Sequence, residues 1–215
     1  AVPALSFWQI GAEGGFLRAP VKLAHIVMGP AERADVIVDF TYVTRGNHVL
    51  RNVGPDEPFG GGVPGIDFDV ADPATTGQVI QFRVVPVAAP DPTTPPQYLV
   101  LPPVPPLPAE TVTRRLALIE EMSKFFNDTP AEAELGTIDW DSGADIGTWR
   151  HFEWMRPVTE NPATGATEVW ELFNGTADAH PIHIHEVVFE VVNREGLVVD
   201  DDGEVEAPIQ LDGNV

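Results

Sequence analysis

Proline is so dense between residues 86 and 108 that this stretch can be neither a helix nor a central strand, and it divides the chain. It includes Thr94-Pro95-Pro96 and the run Leu101-Pro102-Pro103-Val104-Pro105-Pro106-Leu107-Pro108. Each proline removes a backbone donor and fixes φ, so the segment reads as an extended connector. We place a linker at 89–108, between domains at 1–88 and 109–215. A length of 215 residues allows two ordinary domains or one large one,.

The flanks read as short strands between turn signals. Before the linker these are Phe7-Trp8-Gln9-Ile10, a turn at Gly14-Gly15, Val21-Lys22-Leu23, Ile26-Val27-Met28, the run at 34–40, Val49-Leu50 and the run at 79–85,. In Ala34-Asp35-Val36-Ile37-Val38-Asp39-Phe40 apolar and acidic residues partly alternate, as a half-buried strand requires,. After the linker, Arg114-Arg115-Leu116-Ala117-Leu118-Ile119 and Glu168-Val169-Trp170-Glu171-Leu172-Phe173 continue the pattern. Thr129-Pro130-Ala131-Glu132 offers an N-cap with proline at the first helical position, which predicts a short helix within 120–136,. A strand is expected over 182–192 and a hairpin over 196–206. The fold class is all-β, organised as two adjacent antiparallel sandwiches.

The 33 acidic residues against 12 basic give a formal charge of −21, which repels nucleic acid and anionic membrane surfaces,. No apolar run is long enough to span a bilayer,. There is no cysteine, so the chain contains neither a disulfide nor a thiolate metal ligand,. It opens without methionine, directly into strand-like sequence, and we expect a start within a domain.

The chemistry is concentrated in Ala179-His180-Pro181-Ile182-His183-Ile184-His185-Glu186-Val187-Val188-Phe189, which holds half of the chain's six histidines. On an extended segment His183 and His185 share a face, while His180, an odd number of residues away, tends to the other. Pro181 keeps His180 out of helical geometry. One short segment can thus serve two metal centres. Imidazole suits copper, zinc and iron alike, so these side chains alone do not name the metal.

His-Pro-x-His-x-His ahead of an apolar strand resembles the third-domain signature of the multicopper oxidases, the family of laccases, bilirubin oxidases, phenoxazinone synthases and spore-coat laccases. Phe7-Trp8-Gln9-Ile10-Gly11-Ala12-Glu13-Gly14-Gly15, the segment 28–40 and Gln81-Phe82-Arg83-Val84 resemble that family's second cupredoxin domain. Segment 154–162 and Thr167-Glu168-Val169-Trp170 resemble the strands leading to its third-domain histidines. The resemblance implies two cupredoxin-like Greek-key sandwiches, the second domain lacking its opening strands and the third its closing ones. It also implies that His180 is a ligand of the type 1 copper, His183 of the type 2 copper and His185 of the type 3 pair. In that family a phenolic or related small-molecule reductant gives single electrons to the type 1 copper, and a trinuclear cluster reduces dioxygen to water.

A type 1 site needs two histidines and a thiolate. Only one of those histidines is present, and the family's first-domain His-x-His pairs and its His-Cys-His segment are absent. The chain is therefore expected to be a fragment whose partners are the missing N-terminal and C-terminal parts of the same protein. Alone it should neither assemble the cluster nor turn over.

Two other readings compete. A cupin, an iron dioxygenase or isomerase, would use His183, His185 and Glu190 with Gly196 at nearly the right spacing,. A non-catalytic β-sandwich module would keep the histidines without the chemistry. His25, His48 and His151 are isolated in sequence and receive no role. Asp200-Asp201-Asp202-Gly203-Glu204 lacks calcium-loop spacing and reads as a solvated hairpin turn,. Trp149, Phe152 and Trp154 read as core, and Arg33 as a structural tie through carboxylates or carbonyls,.

Overall fold

In the computed structural model, residues 5–126, 129–200, 205 and 207–212 are described, and none of them forms an α-helix. The architecture is all-β, in keeping with cupredoxin-like β-sandwiches. Two compact units are present: Ala1–Pro105 with His180–Glu190, and Pro106–Ala179 with Val191–Val215.

In the first unit β1 (Phe7–Ala12) lies between β2 (Gly15–Leu23) and β3 (Asp35–Val38), antiparallel to both. Trp8 faces Lys22 on one side and Ile37 on the other. The Gly14-Gly15 signal closes the first hairpin. Ile26-Val27-Met28 is not a strand: Gly29 and Pro30 follow it at once, proline offers no ladder donor, and Ala31 adopts φ 65°,. A second hairpin joins β4 (Gly46–Arg51) to β5 (Gln78–Val84), with Phe82 against Phe40 at 5.2 Å between ring centroids. The proline-rich stretch contributes only a 3-10 turn at Pro96–Tyr98.

The second unit is built on a four-stranded sheet in the order β8 (Ile146–Phe152), β7 (Pro130–Asp141), β6 (Val112–Met122), β9 (Glu168–Asn174). The β6–β9 pair is parallel, Val112 opposite Glu168 through Leu118 opposite Asn174, so the sheet is mixed and not purely antiparallel as expected. The helix expected within 120–136 is replaced by the end of β6 and the start of β7. Pairing overrode the cap signal there, and Pro130 opens the strand at a position where a missing donor is tolerated,. Segment 154–162 forms no strand, and Trp154 is exposed instead of core.

Buried residues alternate along β6 and β7 with the strand period, so one sheet face carries the core,. Ala117, Ile119, Ile138, Phe173 and Ile209 form it, with Trp140, Trp149, Leu197 and Val205 packed against it. Near the end of the chain β10 (Gly196–Leu197) pairs with β11 (Leu211–Asp212), and Val199 bridges Val205. The turn expected at Asp201, Asp202, Gly203 and Glu204 lies outside the described residues. Among the described residues no helix is long and apolar enough to cross a membrane.

Candidate metal centre

Strand β9 ends at Asn174, whose side chain organises the exit from the sheet. Its Nδ2 donates to the Asp178 carbonyl at 2.7 Å, and its Oδ1 accepts from the Thr176 hydroxyl at 2.9 Å. An asparagine that satisfies loop backbone in this way favours a turn over a continued strand. The histidine segment follows directly.

That segment, His180–Glu190, belongs to the first unit and is extended without being a strand. The strand expected over 182–192 fails for two reasons. No neighbouring strand pairs with it among the described residues, and Glu186 adopts φ 63°, which turns the chain just after His185,. The alternation survives all the same. Ile182 and Ile184 are half-buried, whereas His183 and His185 are exposed, and their rings meet edge to face with centroids 4.8 Å apart at 87°. His180 is also exposed.

Contacts with the first unit hold the segment in place. Pro181 packs so tightly on Gly29 that a Cβ there would lie 2.7 Å from the proline Cβ. Gly29 in turn donates its N–H to Glu32 Oε2 at 2.6 Å. At the far end Arg18 pairs with Glu190 at 2.9 Å. Glu190 is thus engaged by a cation, and the structure does not bring it to the histidines as the cupin reading requires.

His183 has a carboxylate beside it. Its Nδ1 lies 3.7 Å from Glu13 Oε2, in the turn between β1 and β2. Glu13 is itself fixed by Arg33, whose backbone N–H donates to Oε1 at 2.5 Å and whose guanidinium lies 2.5 Å from Oε2. Arg33 also donates to the Ala31 carbonyl at 2.8 Å, the structural tie that its sequence context suggested. The Arg33 guanidinium contact is an ion pair without hydrogen-bond alignment, so Glu13 Oε2 is buried and lacks an aligned donor. A carboxylate facing Nδ1 orients an imidazole so that Nε2 is the free donor, the arrangement metal-binding histidines commonly have. Two adjacent imidazoles with such a carboxylate are a donor set that fits copper.

Two of the other histidines have partners of their own. His48 Nε2 is 2.7 Å from the Thr44 carbonyl, and His151 stands on β8 next to two carboxylates.

Comparison with known proteins gives these residues a context. A family model described as multicopper oxidase matches residues 132–211. A laccase of Bacillus subtilis is 34% identical over 189 residues, covering 87% of this chain and 31% of that protein. Multicopper oxidase LPR2 of Arabidopsis thaliana is 30% identical over 196 residues, covering 90% of this chain and 29% of that protein. A bilirubin oxidase of Albifimbria verrucaria is 30% identical over 197 residues, covering 88% and 29%. The chain spans about a third of the length of these relatives. With copper-oxidase relatives matched along nearly its whole length and the His-Pro-x-His-x-His segment inside the matched family region, the chain belongs to the multicopper oxidase family.

Proposed function

We propose that this chain is part of a copper-dependent oxidase that takes single electrons from phenolic or related small molecules and reduces dioxygen to water. His180 is assigned to the type 1 copper, His183 to the type 2 copper and His185 to the type 3 pair. Residues 1–88 and 109–215 are assigned to the second and third cupredoxin-like domains, joined by 89–108. The observation that carries the reading is the pairing of His183 and His185 on the exposed side of an extended segment, anchored by Ile182 and Ile184 beneath it.

Copper bound by these imidazoles supplies one-electron acceptance from the reductant and the four-electron reduction of dioxygen. The chain's own residues supply orientation. Pro181 keeps His180 extended, Glu13 stands 3.7 Å from His183 Nδ1 and within a small movement of hydrogen-bonding it, and Arg33 fixes Glu13,. The chain has no cysteine, so the thiolate of a type 1 site has to come from sequence outside these 215 residues,. The partners of this chain are accordingly the remaining parts of a longer protein, and by itself it is inactive.

Oxygen uptake with a phenolic reductant, measured on copper-loaded full-length protein, tests this reading. Four one-electron oxidations per dioxygen are expected, with uptake abolished in His183→Ala and in His185→Ala. Undiminished uptake in both variants contradicts it.

A further inference from the structure

A second cluster of metal-binding side chains lies on the other unit, at the edge of its core. Glu121 on β6, Glu134 on β7 and His151 on β8 each place one donor atom within 4.8 Å of the others. His151 Nδ1 is 3.0 Å from Glu134 Oε2 and 3.9 Å from Glu121 Oε1.

The register explains why these three converge. Phe173, Ala117, Gly136 and His151 form one row across the four strands, and the next row pairs Ile119 with Glu134. Glu121 follows Ile119 by two residues, so it lies on the same face and diagonal to Glu134,. All three side chains therefore project from the face that carries the apolar core. Gly136, directly opposite His151, has no side chain to hold the imidazole away from Glu134. It could not carry one, because a Cβ there would meet the Arg150 carbonyl at 2.3 Å and Ile119 Cδ1 at 2.8 Å.

The charges do not balance. The Glu134 side chain is only 8% exposed. Two carboxylates thus converge at the rim of an apolar core, one of them nearly buried, with one imidazole between them. Even a protonated ring supplies one positive charge against two negative ones, and an uncompensated buried charge is costly. The chain as a whole carries −21, so its field draws cations toward such a site, and among the described residues no lysine or arginine forms an ion pair with Glu121 or Glu134,.

We propose that Glu121, Glu134 and His151 bind a divalent first-row cation such as Zn²⁺ or Mn²⁺. The set is one nitrogen and two carboxylate oxygens, which suits borderline and hard divalent ions and leaves further positions to water. Ligand bonds of about 2.0–2.2 Å require donors close to the separation that His151 and Glu134 already have, and Glu121 has to move in by a side-chain rotation. With its side chain 60% exposed, Glu121 is free to make it. The site is independent of the copper assignment, because it uses none of the residues of 180–190.

The test is titration of the chain carrying His183→Ala and His185→Ala, a background that removes the competing imidazole pair, with Zn²⁺ followed by calorimetry. One equivalent is expected to bind, and His151→Gln or Glu121→Gln is expected to weaken it by more than the roughly 10–100-fold typical of changes outside the ligand shell. Glu121→Gln lies at the surface and should leave the fold intact, which circular dichroism verifies. Mn²⁺ provides a second readout by selectively broadening the His151 ring resonances. Absence of Zn²⁺ binding, an unchanged affinity in Glu121→Gln, or broadening that spares His151 would each overturn the proposal and leave a simple imidazole–carboxylate ion pair.

Discussion

His183 Nδ1 stands 3.7 Å from Glu13 Oε2, a carboxylate oxygen that is buried and has no aligned donor of its own. A small movement of the imidazole converts this approach into a hydrogen bond, which fixes the tautomer with Nε2 free for metal. Glu13→Ala is therefore expected to weaken Cu²⁺ binding by about 10–100-fold, the usual effect of losing an outer-shell partner. It should also change the His183 tautomer ratio, read from its ring ¹⁵N shifts. A purely structural Glu13 would leave that ratio unaltered.

Gly29 lets Pro181 approach the 29–33 loop more closely than any other residue would. Gly29→Ala places a Cβ 2.7 Å from the proline Cβ, and neither partner is a flexible side-chain end. The segment carrying the histidines should lift locally, at a cost of about 1–3 kcal/mol for overpacking. Faster hydrogen exchange at Ile182 and Ile184 is the expected sign, with little change in β1 and β2. Equal protection in both proteins would show that this contact does not anchor the segment.

Glu168 accepts three hydrogen bonds, two from the Arg114 guanidinium at 2.6 and 2.9 Å and one from the Trp170 indole at 2.9 Å. The Arg114 bonds, followed by that from Trp170, lower its pKa from the ordinary 4.5 to about 2,. The folded state therefore holds its proton less tightly than the unfolded chain. Its contribution to stability is complete above the ordinary value and disappears as pH falls from 4.5 toward about 2,. Denaturation midpoints of the wild type and Glu168→Gln should differ near neutral pH and converge across that window. A difference that persists at the acid end would assign the effect to packing and not to charge.

Ile209 is fully buried, and its backbone exchanges two hydrogen bonds with Gly147 at 2.8 and 2.9 Å. Truncation to alanine leaves those bonds in place and empties part of the core of the second unit. Ile209→Ala should destabilise that unit by about 2–5 kcal/mol, measured by urea denaturation followed through Trp140 and Trp149 fluorescence. A loss below about 1 kcal/mol would mean that the site collapses around the gap.

Several strands of the first unit were legible from short apolar runs near glycine or proline, such as Val49-Leu50 in β4, which opens at Gly46, and the run at 79–85 that overlaps β5 and lies between Gly77 and Pro86. Among the elements that misled, two did so for opposite reasons. Around Thr129 and Pro130 local capping chemistry signalled a helix, but pairing with β6 decided the outcome. In 182–192 the apolar and β-branched pattern signalled a strand, yet a strand needs a partner ladder and Glu186 turns the chain away. The alternation of Ile182, His183, Ile184 and His185 held because it depends on extended backbone alone. Glu13 and the Glu121, Glu134, His151 cluster were invisible in sequence. Their members lie far apart along the chain, and only strand register and turn packing bring them together.

Electron paramagnetic resonance of the copper-loaded full-length protein tests the central assignment most directly, because type 1 and type 2 copper give separate signals. His180→Ala is expected to abolish the type 1 signal alone and His183→Ala the type 2 signal alone. His185→Ala should uncouple the otherwise silent pair, so that new copper signal appears. If all three variants altered the same signal, or none altered any, the three histidines would not serve separate copper centres.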